Sequence, residues 1–276
     1  LSTVEVRREC RKYAERFIEI QREEFKRLGV FGDWETPYLT MAFPYVATIV
    51  REFANFFLQG SVYKGKKPVY WCASCKTALA EAEVEYAEHR TPSIFISFPV
   101  VSDLSQRLPA LKGRPAHVII WTTTPWTIPA NLAIALHPEF DYVAVGHEGH
   151  AYIMSEALMP HVLSSFRWSE AAVLASFKGR VLEGIRCRHP YLERESLVIL
   201  ADFVTLDAGT GCVHIAPGHG KEDYEIGVKY GIPAYAPVDD DGRFTREVEH
   251  FAGQFVFDAN PRVTEKLKEV GRLLLE

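Results

Sequence analysis

The sequence has no uninterrupted apolar run long enough to span a bilayer and no charged-then-apolar leader, so a soluble, unsecreted, cytoplasmic protein without membrane contact is expected. Cysteine is scarce. Five in 276 residues, an odd number without a regular framework, argue against a disulfide scaffold and suit a reducing compartment. Neither sign of charge dominates: 31 basic against 36 acidic side chains leave a net charge of −5. That excludes a broad nucleic-acid-coating surface, though not a local phosphate-binding patch. Gly218-His219-Gly220-Lys221 lacks the earlier glycine and the Ser or Thr of a phosphate loop, and no G-x-S-x-G elbow occurs, so an activated-serine hydrolase is not expected. Internal repeats and low-complexity segments are also missing.

What is present falls into three textures. Ser2 to Glu5 fits a capping box, after which Val6, Cys10, Tyr13, Phe17 and Ile20 recur on one helical face, with Gly29 as the stop. A second helix is expected over Tyr45 to Leu58, burying Ile49, Phe53 and Phe56 or Phe57. Two amphipathic helices cannot bury their faces alone, so residues 1–61 are expected to dock on something else. From Val62 the pattern turns to short β-like runs: Pro68–Trp71, Ser93–Val101, Ala116–Thr122, Leu132–Leu136, Tyr142–Gly146, Ala151–Met154 and Ser196–Val204, with a short helix over Ser155–Phe166. Such runs predict a mainly β, α+β domain over 62–257, built as a barrel or a curled mixed sheet and not as a doubly wound nucleotide fold. Residues 258–276 read as a closing helix reaching Leu274, interrupted at Gly271.

Two stretches concentrate chemistry. In Gly209 to Tyr224, GTGCVHIAPGHGKEDY, a short strand over Val213–Pro217 runs into a turn and then a helix from Lys221, which places Asp223 in the first helical turn. Asp223 there is either a carboxylate satisfying the helix N-terminus or an acceptor for a substrate ammonium group. His214 is a core histidine or a residue that orients water and sets pocket shape, and His219, between glycines, is less suited to a core. Cys212, His214, His219 and Asp223 also permit a metal-dependent hydrolase, although their spacing matches no standard zinc pattern. In Trp121 to Asn131, WTTTPWTIPAN, strand alternation places Thr122 and Thr124 on one face and Thr123 on the other. The threonines either fill a strand or offer hydroxyls to ester oxygens, ribose and a positioned water. Cys72 and Cys75 form half of a zinc site; the chain holds no second C-x-x-C to complete it.

Together GVFGDWETPYLTM, KPVYWCASCKTALAEAEVEY, WTTTPWTIPANLAIALHPEFDY and LDAGTGCVHIAPGHGKEDY, in this order, resemble the isoleucyl-tRNA synthetases, bacterial forms most closely. The two signatures of that family's aminoacylation site, His-Ile-Gly-His and Lys-Met-Ser-Lys-Ser, occur nowhere, so the chain is expected not to activate isoleucine. The resemblance implies the editing (CP1) domain, with a β-barrel-like fold, carrying N-terminal helices from the catalytic-domain shoulder. It implies hydrolysis of valine wrongly joined to the isoleucine tRNA, and possible action on valyl-adenylate. By the same resemblance Asp223 holds the α-ammonium, His214 lines the side-chain pocket and excludes isoleucine, and Thr122, Thr123 and Thr124 bind the terminal adenosine and attacking water. Trp121, Thr127, Asn131 and His219 complete the substrate wall. The implied partners are the tRNA 3′ end and the remainder of the synthetase; no cofactor is needed for editing, ATP and magnesium belong to the whole enzyme, and zinc at Cys72 and Cys75 is doubtful. Non-catalytic tRNA docking is the remaining alternative.

Overall fold

The structure is a computed structural model and describes residues 1–276. Two compact units divide it, Leu1–Gly65 and Lys66–Glu276.

In the first unit, helix α1 (Thr3–Arg27) starts on the expected capping box: the Glu5 backbone N–H donates to Ser2 Oγ at 3.4 Å and the Ser2 N–H donates to Glu5 Oε2 at 2.6 Å. Helix α2 (Phe43–Leu58) begins with a proline at its first turn, where the missing N–H costs nothing. Neither helix has a buried residue. The expectation that Ile49, Phe53 and Phe56 or Phe57 are buried is therefore corrected: all four stand more than half exposed. Two helices supply no third layer to cover an apolar stripe, so periodicity places the stripe without covering it.

The second unit opens with a two-stranded hairpin, β1 (Trp71–Cys72) and β2 (Thr77–Ala78), much shorter than the strand expected from Pro68. The hairpin is fastened to a later turn by Trp71 Nε1–H donating to the Asp240 carbonyl at 2.9 Å and by Lys76 pairing with Asp241 at 2.7 Å. The body follows as β3 (Ile94–Pro99), β4 (Ala116–Thr122), β5 (Ala133–Leu136), β6 (Asp141–His147), β7 (His150–Ser155), α3 (Met159–Phe166), β8 (Ala172–Lys178), β9 (Arg186–Arg188), β10 (Glu195–Leu200), β11 (Cys212–Ile215), α4 (Lys221–Lys229), α5 (Asn260–Glu269) and β12 (Leu273–Leu275).

These strands make two mixed sheets, one ordered β12-β3-β4-β7-β6-β8 and the other β11-β5-β10-β9. Neither closes on itself, and a lone bridge between Val100 and Cys187 links them. Of the two sequence options, the mixed sheet is the one realised. Strands such as Ala116–Thr122 and Ala133–Leu136 read as continuous apolar runs because both of their faces are covered. Ile94, Ile96, Phe98, Val118 and Ile120 face Ile134, Leu136 and Val198 across the space between the sheets. Phe95, Ile119, Val143 and Met154 face outward under α3, while Ala133, Ala135, Ile199 and Ile215 lie under α4 and the turn after it. The unit is thus helix, large sheet, small sheet, helix. Truncating any of these fully buried isoleucines to alanine would cost about 2–5 kcal/mol.

At the C-terminal end the closing helix stops at Glu269. Gly271 takes φ +67°, a left-handed conformation natural to glycine, and Leu273–Leu275 turns back to pair with β3. Three leucines in a row continue a helical pattern on paper, and only the empty edge of β3 makes them a strand.

Candidate active site

Strand β4 of the large sheet and β11 of the small one approach each other, and the candidate site lies at their mouths. A cavity of about 390 Å³ there is lined by Trp121, Thr122 and Thr123 from the end of β4, Gly209 to His214 from the glycine-rich turn and β11, and Asp223 from the first turn of α4. The two stretches singled out in the sequence therefore share one pocket. Phe203, Thr205, Asp207 and Glu222 also line it. The sequence does not reveal them: Phe203 falls in the expected strand Ser196–Val204, which in fact ends at Leu200, Thr205 stands between that run and the glycine motif, and Asp207 and Glu222 lie in the motif with nothing in its spacing to single them out.

The glycine turn is held rigidly. Thr210 Oγ1 donates to the Ile119 carbonyl at 2.6 Å, the Ser155 N–H donates to the Thr210 carbonyl at 2.8 Å, and Tyr142 OH donates to the Gly211 carbonyl at 2.6 Å. Gly211 sits at φ +72°, and a Cβ placed on it would lie 2.5 Å from Ser155 Cβ. Gly211→Ala combines left-handed strain with overpacking and is expected to lower unfolding free energy by about 2–4 kcal/mol. Urea denaturation checks this, and an unchanged midpoint contradicts the tight fit.

Strand alternation does not carry through the threonines. β4 ends at Thr122, whose Oγ1 accepts the Thr124 N–H at 3.0 Å, and a 3-10 turn over Pro125–Ala130 follows. Thr122 and Thr123 consequently line the cavity. Thr124, expected on the face of Thr122, instead turns its carbonyl toward Thr127.

Thr127 and Asn131 lie behind His214 and fix its ring. Asn131 Nδ2 donates to the Ala133 carbonyl at 2.8 Å, which sets the amide orientation, and also to His214 Nδ1 at 2.8 Å. Nδ1 is then an acceptor, so Nε2 carries the proton and donates to Thr127 Oγ1 at 2.9 Å, whose own hydroxyl donates to the Thr124 carbonyl at 2.8 Å. Ser196 Oγ donates to Asn131 Oδ1 at 2.5 Å and completes the chain. Ser196 is a further residue the sequence does not reveal, since only the parallel pairing of β10 with β5 brings it there. Burial, with smaller contributions from His219 and Arg194, holds His214 down at about 3. With Nδ1 accepting from Asn131 and Nε2 donating to Thr127, neither ring nitrogen is free to take a proton in this arrangement.

Arg194 braces the same turn from behind: its guanidinium donates to the Pro129 carbonyl and lies 5.2 Å from the Tyr235 ring centre. His189 accepts the Tyr191 and Leu192 N–H groups on Nδ1 and donates from Nε2 to the Ile128 carbonyl at 2.9 Å.

Asp223 Oδ2 accepts the Ala216 N–H at 2.7 Å, tying the helix start to the end of β11. Burial pushes the carboxyl's pKa up, Glu222 adds to the rise, and the Ala216 N–H opposes it. His219 does not line the cavity. It packs edge-to-face on Trp126 at 5.1 Å. Cys212 is a lining residue but is buried, and burial pushes its thiol far up, which excludes a resting thiolate nucleophile.

No group of three or more His, Cys, Asp or Glu converges anywhere in the chain. The proposed cage of His214, His219 and Asp223 is therefore not assembled, because His214 spends both nitrogens on Asn131 and Thr127. Cys72 and Cys75 share a tight turn in which the Cys75 N–H donates to Cys72 Sγ at 3.3 Å and holds that thiol's pKa below its usual value.

His117, His189, His214 and His219 are pushed down by burial to about 4, 3, 3 and 4. All four are neutral when folded and protonate near 6.5 when unfolded. Their stability contribution is full above pH 6.5 and is lost as pH falls toward the folded values, with about four protons taken up on unfolding near pH 5. A urea midpoint that falls steadily from pH 6.5 to 4 is expected; a flat one contradicts buried neutral rings.

A carboxylate, a neutral imidazole and threonine hydroxyls thus share one cavity. Residues 1–260 match the family described as tRNA synthetases class I (I, L, M and V), and the chain belongs to that family. Within it, the chain is similar to the isoleucine–tRNA ligases of Nitratidesulfovibrio vulgaris strain DP4, 53% identical over 272 residues, and Geobacter sulfurreducens, 52% over 271. Each alignment takes in 98% of this chain but only 29% of the relative's length. About two thirds of the chain shares the fold of CP1 editing domains of leucyl-tRNA synthetases. GlLeuRS-CP1 superposes with a TM-score of 0.54 at 16% identity, covering 67% of this chain and 98% of that one. The Plasmodium knowlesi cytosolic leucyl-tRNA synthetase editing domain gives 0.52 at 13%, covering 70% and 100%. No helix is long and apolar enough to cross a membrane.

Proposed function

We propose that the cavity between β4 and the glycine turn hydrolyses the ester of valine wrongly joined to the isoleucine tRNA, with the whole synthetase as the natural setting. The observation that supports this most is the convergence of the Thr122 and Thr123 hydroxyls, His214 and the Asp223 carboxylate on one cavity of about 390 Å³. The α-ammonium meets Asp223, the side chain meets the His214 ring, and the terminal ribose and ester lie toward Thr122 and Thr123.

Hydrolysis then proceeds by direct attack of water on the ester carbonyl carbon; the acyl C–O bond to the ribose oxygen breaks, and the proton lost by the water passes to that leaving oxygen. Threonine hydroxyls and turn N–H groups are the available donors for the developing oxyanion. His214 takes no proton, so the substrate's own vicinal ribose hydroxyl is the nearest group of suitable chemistry to relay one. ATP and magnesium serve aminoacylation by the whole enzyme, and this step needs neither. Cys72 and Cys75 would hold zinc only with two ligands supplied from elsewhere.

The test is deacylation by the 276-residue chain of valyl-tRNA and isoleucyl-tRNA, both made on isoleucine tRNA. Faster release of valine, unaffected by chelator and without an inflection between pH 5 and 8 from His214, is expected. Equal rates on both esters with an intact fold sink the reading, and loss of turnover on chelation returns it to metal chemistry.

A further inference from the structure

We propose that the β9–β10 hairpin is a back-plate that sets side-chain selectivity in the cavity without touching the substrate, with His189, Arg194 and Ser196 acting as positioning residues for the His214 ring. This rests on the reading of His214 as the wall that the substrate side chain meets, and adds what keeps that wall in place.

The turn over Pro125–Ala130 and the Asn131 that follows it hold both nitrogens of His214, through Thr127 Oγ1 at 2.9 Å and Asn131 Nδ2 at 2.8 Å. Two of the six residues in that turn are prolines, which donate no N–H, so it leans on partners outside itself. Three of them come from the hairpin. His189 Nε2 donates to the Ile128 carbonyl at 2.9 Å, the Arg194 guanidinium donates to the Pro129 carbonyl, and Ser196 Oγ donates to Asn131 Oδ1 at 2.5 Å. The hairpin loop is itself closed: the His189 N–H donates to the Arg194 carbonyl at 2.9 Å, and the Arg194 N–H donates to the Leu192 carbonyl at 2.8 Å. Ile128, Asn131 and Ser196 are fully buried, so water does not replace a partner lost there.

Arg194 separates this grip from ordinary sheet stability. It pairs with no carboxylate, its Nε has no partner, and burial lowers its pKa. A half-buried guanidinium without a carboxylate is a poor source of stability, and what it supplies here is a directed donor at the Pro129 carbonyl. Selectivity needs such a brace. A ring that rocks aside makes room for one more methylene, whereas a ring fixed from behind makes the larger side chain bear the cost of overpacking.

The test compares deacylation of valyl-tRNA and isoleucyl-tRNA, both made on isoleucine tRNA, by the 276-residue chain and its variants. Ser196→Ala is expected to raise the isoleucyl-to-valyl rate ratio about 2- to 13-fold, the rate equivalent of one neutral hydrogen bond at about 0.5–1.5 kcal/mol. Arg194→Met should raise it too, and Arg194→Lys, which keeps a donor for Pro129, should return it toward the parent. In a His214→Ala background Ser196→Ala should leave the ratio where it is, because it acts only through the ring. A residue that merely supports the fold lowers both rates together. Heteronuclear NMR of the histidine-labelled chain, without substrate, reads the ring directly: the signal that His214→Ala removes should be single and protonated on Nε2 in the parent, and broadened or doubled in Ser196→Ala. Thermal melting follows folding, and if Ser196→Ala unfolds, the two Arg194 variants carry the same test. A ratio unmoved by these variants in a folded chain, a Ser196→Ala effect that persists without His214, or an unaltered ring signal overturns the back-plate. A parent chain that does not distinguish the two esters sinks the ester reading instead, while the ring signal still decides whether the hairpin holds His214.

Discussion

Asp223→Asn is expected to slow hydrolysis of a valyl ester by about 10- to 150-fold while leaving the fold intact. A hydrogen bond to a charged partner is worth about 1.5–3 kcal/mol, and that range converts to this loss in rate. Asparagine is the informative choice because one Asp223 oxygen already accepts the Ala216 N–H at 2.7 Å. Its amide oxygen can keep that bond, so only the charge facing the ammonium is removed; alanine would lose both. The carboxyl's folded pKa is raised by burial. Its ionised form is therefore a stability cost above that pKa, relieved as pH falls through it. The asparagine variant should melt no lower than the parent near neutrality, and any gain should vanish on acidification. A variant as active as the parent, or one that is inactive because it unfolds, contradicts the assigned role.

The second large effect concerns selection. Isoleucine exceeds valine by one methylene, and an apolar pocket gains only about 1–3 kcal/mol from that group, a general limit long illustrated by the isoleucine-specific synthetases themselves. A pocket that must reject the larger side chain can do so by leaving no room. Forcing a methylene into filled space costs about 1–3 kcal/mol, or roughly 5- to 150-fold in rate. The His214 ring is held by Thr127 and Asn131 at 2.9 and 2.8 Å, so it cannot swing aside. His214→Ala is expected to bring isoleucyl-tRNA hydrolysis to within about threefold of valyl-tRNA hydrolysis. Both rates should also fall, since Thr127 and Asn131 lose a partner at about 1–3 kcal/mol each. The ratio of the two rates is the readout, and a ratio unchanged from the parent removes His214 as the gauge.

Much of this was legible in the chain. The capping box at Ser2, the long apolar strands and the helix start before Asp223 follow from local chemistry and formed as expected. β8 and β9 escaped notice for different reasons: β8 is a half-exposed edge strand with no clean alternation, and β9 spans only three residues. The chain after Gly271 became a strand because of a distant sheet edge, which no local pattern encodes. At the site, the two motifs could be named individually, but the partition of their roles could not. Thr124, Thr127 and Asn131 sit one layer back from the cavity because β4 ends at Thr122 and the 3-10 turn folds behind His214. The tautomer of His214 depends on Asn131, and the Asn131 amide in turn on Ser196, whose place is set only by the sheet.

The most direct measurement is a crystal structure of the chain with a non-hydrolysable valyl-adenosine ester analogue. Its ammonium group should lie within hydrogen-bond distance of Asp223, its isopropyl group against the His214 ring, and its ribose beside Thr122 and Thr123. An analogue bound elsewhere, or bound in this cavity with its ammonium group turned away from Asp223, would contradict the assignment of this pocket.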